Sequence, residues 1–179
     1  MMGEVSEEEL YISYMEQSIA LEKGGADVII IETFSEIEEA VIAVQAAKEN
    51  TSCEIICTMT FNRSQDGKFH TMMGVTPETM TNKILYAGAD IIGANCGNGA
   101  EIMISIVNEI RSINQAVPVI VQANAGMPIY NEGKTVYPEK PEETASFLPR
   151  LINAGVNIFG GCCGTTPKHI QAIKDCLTR

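Results

Sequence analysis

Apolar runs recur along the chain at regular intervals. Three of them, at 25–29, 88–92 and 155–159, share one pattern, in which a glycine, a small apolar residue and Asp or Asn precede two apolar residues. The glycine suits the end of a helix, and the apolar residues suit a buried strand. Two more apolar runs, at 54–60 and 118–123, lie between these copies. The pattern predicts five strands, spaced by roughly 30 residues.

The segments between these runs carry signals for the starts of helices. Ser6 and Ser35 are each followed three residues later by glutamate, which predicts two capping boxes. Threonine, which suits the N-cap, precedes proline at 76–77 and 166–167, and Lys140 with Pro141 predicts another helix start. Strands that alternate with helices predict right-handed crossovers and a parallel sheet, with functional loops at the carboxyl ends of the strands.

Composition narrows the class of protein. The chain has 179 residues and 45% hydrophobic content, so we expect one globular domain over 1–179. The sequence has no run of 18 or more apolar residues, and its first residues are acidic where a signal peptide is basic, so we expect a soluble, cytoplasmic protein. The net charge of −11 argues against nucleic acid and anionic membranes as partners and favours a small molecule.

Cysteines carry the candidate chemistry. Cys96 lies within the glycine-rich segment 93–97, and Cys162 and Cys163 lie within 160–164, each where a predicted strand opens into a loop. Three thiolates that meet at strand ends can hold one zinc ion and leave its fourth position open, as in catalytic sites. Adjacent cysteines in a continuous strand point to opposite faces, so a shared ion requires the strand to break there, which the glycines permit.

The pattern alone leaves two architectures open. Five βα units form either an open doubly wound sheet or five eighths of a (β/α)8 barrel, and the chain length favours the open sheet. However, no G-x-G-x-x-G or P-loop motif follows any predicted strand, so the usual nucleotide-binding functions of open sheets lack their signature.

A family resemblance decides between them. The residues at 31–34 and 38–40, Gly-Ala-Asn-Cys at 93–96, and Gly-Gly-Cys-Cys-Gly-Thr-Thr-Pro-Lys-His-Ile at 160–170 resemble the zinc-dependent homocysteine S-methyltransferases. That family includes betaine-homocysteine methyltransferase and the homocysteine-binding module of cobalamin-dependent methionine synthase. The resemblance implies a (β/α)8 TIM-barrel type of α/β fold. It aligns this chain with the last five βα units, so the first three strands have no counterpart here.

The resemblance also implies a chemistry. It assigns one zinc ion to Cys96, Cys162 and Cys163, with the sulfur of homocysteine as fourth ligand and nucleophile. The methyl group moves to that sulfur and gives methionine. The sequence does not name the methyl donor: methylcobalamin on a separate domain, betaine, S-methylmethionine and a methylated folate all remain open. The first of these would make a corrinoid protein or domain a partner.

The same resemblance suggests roles for polar residues at the strand ends. Glu32 is expected to act as a catalytic and substrate-binding residue that holds the amino group of homocysteine. From their own positions at comparable strand ends, Asn95 and Asn124 are expected to supply hydrogen bonds to the substrate carboxylate or to neighbouring loops. His70 and His169 are interpreted as surface histidines.

Other interpretations of the chain remain. It could be a noncatalytic zinc-binding or scaffold subunit that needs a partner to complete the barrel, or a thiol redox protein that uses the vicinal pair Cys162 and Cys163. The remaining cysteines, Cys53, Cys57 and Cys176, are interpreted as small buried apolar residues. An incomplete barrel exposes two strand edges and its inner face, so we expect self-association, or a partner or a missing N-terminal segment that covers them.

Overall fold

A computed structural model describes residues 5–178, which form helices around one parallel sheet. The helices are α1 (Glu7–Lys23), α2 (Ile37–Asn50), α3 (Pro77–Ala87), α4 (Ala100–Ile113), α5 (Pro141–Ser146), α6 (Leu148–Ala154) and α7 (Pro167–Leu177). The strands are β1 (Val28–Phe34), β2 (Glu54–Met59), β3 (Asn62–Arg63), β4 (Phe69–His70), β5 (Ile91–Gly99), β6 (Val119–Asn124), β7 (Ile129–Asn131), β8 (Lys134–Val136) and β9 (Ile158–Gly161). None of the helices within 5–178 is both long and apolar enough to cross a bilayer.

The main sheet has the strand order β1-β2-β5-β6-β9, and every neighbouring pair is parallel. These are the five strands that the apolar runs predict, so that prediction is confirmed. Two short antiparallel hairpins, β3–β4 and β7–β8, follow β2 and β6 and were not predicted. Both hairpins lie in loops that leave the carboxyl ends of the main strands.

The two faces of the sheet differ in burial. Side chains alternate along β1, so that Ile29 and Ile31 are buried against the helices, whereas Val28 and Ile30 point to the other face and are 42% and 44% exposed. We call the second face the open face. This face is better covered at the centre of the sheet, where Ile56 on β2 is only 4% exposed.

A contact across the open face shows that the sheet is strongly curved. The side-chain amide of Gln122 on β6 donates a hydrogen bond of 3.0 Å to the carboxylate of Glu32 on β1, although β2 and β5 lie between them. In a flat sheet these two strands would lie about 14 Å apart, at about 4.8 Å for each spacing. The sheet is therefore an arc of the (β/α)8 type, as the resemblance implied, rather than an open twisted sheet.

The repeated motif that precedes three strands has a structural role at the amino end of the sheet. Asp90, just before β5, accepts a hydrogen bond of 2.9 Å from the backbone N–H of Ile55 on β2. Asn157, just before β9, accepts one of the same length from Val119 on β6. Each polar side chain thus ties its strand to the preceding one. Asp27 holds the equivalent position before β1, which is an edge strand, and it is exposed.

Arg111, near the end of α4, reinforces this amino end. Its guanidinium donates hydrogen bonds to the backbone carbonyls of Gly155, Val117 and Asn114, and to the side chain of Asn157. One planar cation therefore satisfies carbonyls from the loops that lead into β6 and β9, and it fixes both strands against α4.

The helix starts follow the sequence with one correction. The predicted capping box of Ser6 and Glu9 is present at α1. At α2 the predicted box is wrong, because the helix starts one residue later than expected and Glu36 is its N-cap, accepting from the N–H of Ile37. Ser35 does not cap the helix, and its backbone carbonyl accepts a hydrogen bond from the hydroxyl of Thr71.

Candidate metal centre and substrate site

The three predicted metal-binding cysteines meet at the carboxyl end of the sheet. The Sγ atoms of Cys96 and Cys163 are 3.8 Å apart, those of Cys162 and Cys163 are 4.0 Å apart, and all three lie within 4.8 Å of one another. Tetrahedral zinc with Zn–S bonds of about 2.3 Å places its sulfur ligands about 3.8 Å apart. The donor set and its spacing therefore fit one zinc ion.

Local backbone geometry brings the sulfurs together. Cys96 adopts the left-handed conformation with φ +57°, which is unusual for a side chain with a Cβ and turns its thiol out of the alternation of β5. Strand β9 ends at Gly161, so the chain breaks before Cys162 as the sequence required. Gly164 has φ +79°, and a Cβ there would overlap the ring of Tyr137, which packs against this loop.

The surroundings shift the pKa values of Cys162 and Cys163 in opposite directions. Burial, and then the negative charge of neighbouring Cys96, raise the pKa of Cys162 to about 12. The neighbouring hydroxyl of Tyr137 lowers the pKa of Cys163. Three thiolates so close together repel one another, so the fully deprotonated cluster requires a cation. Tyr137, which follows the β7–β8 hairpin, is a contributor that sequence reasoning missed.

Glu32 lies at the carboxyl end of β1 and belongs to the open face. It is exposed, and its carboxylate accepts the hydrogen bond from Gln122 described above. Gln122 was also missed. A signal was present, because Gln122 precedes Asn124 by two residues on a strand and so shares its face.

Asn95 is fully buried, and its side chain joins two strand ends. Its Oδ1 accepts hydrogen bonds from the backbone N–H of Thr33 at 2.9 Å and from the hydroxyl of Thr58 at 2.8 Å. Its Nδ2 donates to the hydroxyl of Thr33 at 2.6 Å. Thr33 has φ +69°, so Asn95 stabilises the unusual turn that directly follows Glu32 while it directly precedes Cys96.

Asn124 supports the other cysteine loop. Its Oδ1 accepts a hydrogen bond of 3.1 Å from the backbone N–H of Cys163, and its side chain is buried. The two asparagines predicted to contact the substrate or neighbouring loops thus both use their side-chain carbonyl oxygens within the protein. Asn124 binds the loop that carries Cys163, and Asn95, the residue before Cys96, binds Thr33 and Thr58 on the two neighbouring strands.

Comparison with known proteins identifies the family. The sequence profile described as homocysteine S-methyltransferase matches residues 1–177. This chain belongs to the homocysteine S-methyltransferase family.

Relatives show how the length of this chain compares with that of known proteins. It is 30% identical over 181 residues to methionine synthase of Mycobacterium leprae, covering 93% of this chain and 14% of that protein. It is also 30% identical over 165 residues to methionine synthase of Mycobacterium tuberculosis, covering 90% of this chain and again 14% of that protein. The chain therefore spans a small part of these relatives.

Solved structures support the fold. The metallated form of the homocysteine methyltransferase MmuM from Escherichia coli superposes with a TM-score of 0.77 at 21% identity, over 97% of this chain and 53% of that one. Its apo form gives 0.76 over 96% and 57%. The chain spans about half the length of these relatives, and at this identity the likeness concerns the fold.

The two histidines and the remaining three cysteines lie outside the cysteine cluster and differ in burial. The prediction for His169 is wrong, because its side chain is only 5% exposed: Nδ1 accepts from the N–H of Thr166, and Nε2 lies 3.0 Å from the carbonyl of Glu139. It caps α7 and cross-links two loops. Cys53 and Cys57 are buried as predicted, and burial raises the pKa of Cys57 to about 12. Two further side chains are partly buried, those of His70 and Cys176.

Proposed function

We propose that this chain is the zinc- and homocysteine-binding part of an enzyme that transfers a methyl group to the thiol of homocysteine and gives methionine. The observation that carries the proposal is the cluster of three sulfurs with the spacing of a zinc site, in a chain of this family. Glu32 and Gln122 belong to the same carboxyl end of the sheet, which is where substrates bind in barrels of this type.

The chain's own residues prepare the nucleophile. Cys96, Cys162 and Cys163 would hold the ion and leave one position for the substrate sulfur. Zinc, when bound there, favours the thiolate over the thiol at neutral pH and so supplies a nucleophile. The hydroxyl of Tyr137 lowers the pKa of Cys163, and Asn124 fixes the loop on which Cys163 lies. The methyl group then forms a bond to sulfur as its bond to the donor breaks.

Glu32 provides recognition of the amino acid. Its carboxylate is accessible from the open face and is held by Gln122. We propose that it accepts hydrogen bonds from the ammonium group of homocysteine, which orients the substrate and favours amino acids over simple thiols. Asn95 acts indirectly, because it holds the turn at Thr33 next to Glu32.

The methyl donor is proposed to come from outside this chain. The methionine synthases that it resembles are much longer, since it covers only 14% of each, and they have room for further domains. We propose methylcobalamin on a separate domain or protein as the donor, and one domain over 1–179 as the acceptor part.

A methyl-transfer assay tests the proposal. The reduced, zinc-loaded chain is mixed with L-homocysteine and, in separate reactions, with methylcobalamin, S-methylmethionine, betaine or a methylated folate, and methionine is measured by mass spectrometry. Methionine formation that requires both zinc and Cys96 is the expected result. If the chain binds zinc and homocysteine in calorimetry yet produces no methionine with any donor, the enzymatic proposal is wrong.

One observation favours a second candidate, a zinc-binding subunit that acts only with a partner. Val28 and Ile30 of edge strand β1 are exposed on the open face, and Ile158 of edge strand β9 is 38% exposed. Asp27 also holds the position from which Asp90 and Asn157 bind a neighbouring strand. This candidate predicts a chain that binds zinc alone but binds homocysteine only after a partner or second copy covers the open face.

A further inference from the structure

Gln122 has one end of its side chain fixed and the other end unused. It lies on the open face of β6, and its Nε2 donates to Glu32 at 3.0 Å. This contact sets the orientation of the amide, because the reversed amide would place its carbonyl oxygen against a carboxylate, and two acceptors repel. The carbonyl oxygen Oε1 therefore points away from Glu32.

This oxygen is unusual because it is buried and has no hydrogen-bond partner among the described residues. Oε1 of Gln122 is buried from solvent, and it is the one such side-chain nitrogen or oxygen without a hydrogen-bond partner within residues 5–178. Buried polar atoms are nearly always paired, since an unpaired one loses its bonds to water without replacement. An unpaired acceptor at the carboxyl end of a barrel strand indicates a missing donor.

Neighbouring strands do not supply that donor. Gly160 pairs with Gln122 on β9 and has no side chain, and a Cβ there would lie 3.2 Å from Cγ of Gln122. Asn95 pairs with it on β5, but the side chain of Asn95 is engaged with Thr33 and Thr58. The donor is therefore expected from a bound molecule.

We infer that Gln122 is a specificity-determining residue, whose Oε1 accepts a hydrogen bond from the ammonium group of the substrate while its Nε2 holds Glu32 in place. The inference rests on the proposed function. An ammonium group carries three N–H donors, so it can bond to Glu32 and to Gln122 at once. A thiol that lacks the ammonium group would leave Oε1 unpaired, as it is in the free protein, and would not gain this hydrogen bond.

Calorimetry on the zinc-loaded, reduced chain tests this role with two ligands. One is L-homocysteine, and the other is γ-mercaptobutyrate, which is homocysteine without its amino group. Gln122→Met keeps the length of the side chain but removes both the acceptor Oε1 and the Nε2 donor that binds Glu32. We expect it to weaken homocysteine binding about tenfold to a hundredfold, as for other hydrogen bonds to charged groups. Binding of γ-mercaptobutyrate, the zinc content and the melting temperature should stay unchanged.

Two further variants keep the test decisive. Gln45→Met alters a glutamine on α2, on the helical side of the sheet, and should leave both affinities unchanged. Gln122→Lys places an ammonium group of the protein itself beside Glu32, where it can pair with the carboxylate in place of the substrate. We expect this variant to bind homocysteine no better than γ-mercaptobutyrate.

Several results would overturn the inference. Equal loss of both ligands in Gln122→Met would mean that Gln122 only supports the fold of the site, and unchanged homocysteine affinity would mean that Oε1 does not meet the ammonium group. Failure of the wild-type chain to bind homocysteine despite a full zinc content would overturn the proposed function, and the role of Gln122 with it. The wild-type measurement therefore separates the two failures.

Discussion

The two ends of the sheet are built in opposite ways. At the amino end, polar side chains find partners within the chain: Asp90 binds Ile55 and Lys48, and Arg111 satisfies several carbonyls. At the carboxyl end, three sulfurs have mainly one another, and the buried oxygen of Gln122 has no partner within residues 5–178. Satisfied groups stabilise a fold, whereas unsatisfied groups in fixed positions are available to a ligand.

Backbone strain in the main sheet also lies at its carboxyl end. Thr33 and Cys96 have positive φ, and both lie where a strand of the main sheet leaves its regular path at the carboxyl end. Such conformations cost about 1–3 kcal/mol each, and they persist only where the surroundings hold them. Here Asn95 binds Thr33 directly and is the residue before Cys96. The stable amino end therefore supports a carboxyl end that is organised for binding.

The largest effect on stability is expected at the amino end. Arg111→Met removes every hydrogen bond of the guanidinium and leaves partly buried carbonyls unpaired, so the free energy of unfolding should fall by about 3 kcal/mol in urea titrations. Arg150→Met is the control, because its ion pair with Glu101 is exposed and should contribute less than about 0.5 kcal/mol. The folded Arg111→Met protein should still bind zinc. Loss of zinc without loss of stability would contradict the contrast between a stabilising amino end and a ligand-binding carboxyl end.

A smaller effect on stability, joined to a functional one, is expected at Asn95. Asn95→Ala removes three hydrogen bonds and leaves the buried hydroxyl of Thr58 without its acceptor, so stability should fall by about 2 kcal/mol. Because Thr33 and Cys96 lose their support, affinities for zinc and homocysteine should both fall. The exposed Asn82→Ala on α3 should change none of the three quantities. Unchanged zinc affinity in Asn95→Ala would mean that Asn95 does not position Cys96.

Glu32 should affect binding without affecting stability. Glu32→Gln keeps the shape of the side chain but removes its charge, so homocysteine affinity should fall about tenfold, which is about 1.4 kcal/mol. The melting temperature should stay the same, because Glu32 is exposed. Glu54→Gln changes an exposed carboxylate at the start of β2, at the opposite end of the strands, and should leave homocysteine affinity unchanged. Isothermal titration calorimetry measures both variants.

The smallest effect concerns the pH dependence of the amino end. Burial alone would raise the pKa of Asp90, but hydrogen bonds from Lys48 and from the backbone of Ile55 outweigh it and lower that pKa. A carboxyl group whose pKa is lower in the folded state stabilises the fold above its unfolded pKa, and this contribution disappears as the pH falls through the folded pKa. Asp90→Asn should therefore cost about 0.5 kcal/mol at neutral pH, and nothing in strong acid.

Urea titrations at several pH values check this prediction. The gap between wild type and Asp90→Asn should be complete above about pH 5 and should close at lower pH. A gap that persists below the folded pKa would show that the charge of Asp90 is not responsible. Lys83→Met serves as the comparison, since its ion pair with Glu38 is exposed on the helical surface.

The main strands were predictable because each is a buried apolar run with a defined start. The hairpins were not found, because β3, β4, β7 and β8 have two or three residues each and no extended apolar alternation. A weaker signal existed in their turns, where Gly67 and Gly133 have positive φ and follow an acidic residue. Attention to such Asp-Gly and Glu-Gly pairs would have located both hairpins.

The meeting of Cys96, Cys162 and Cys163 was predictable for a different reason. Parallel strands end at one edge of a sheet, so cysteines at two strand ends are expected to meet there. Gln122 and Tyr137 depend on the curvature of the sheet and the path of a loop, which local sequence does not specify. His169 was misassigned because its position inside a helix suggests exposure, whereas the bond from Thr166 turns its ring inward.

Zinc content tests the central claim most directly. The wild-type chain, Cys96→Ser, Cys162→Ser and the control Cys176→Ser, which changes a partly buried cysteine of α7, are purified under reducing conditions and analysed for metal and folding. We expect one zinc per chain in wild type and Cys176→Ser, and none in folded Cys96→Ser or Cys162→Ser. Zinc that survives in Cys96→Ser, or folded wild-type protein that takes up none, would contradict the three-sulfur centre. A reversible disulfide between Cys162 and Cys163 in place of zinc would favour the thiol redox interpretation.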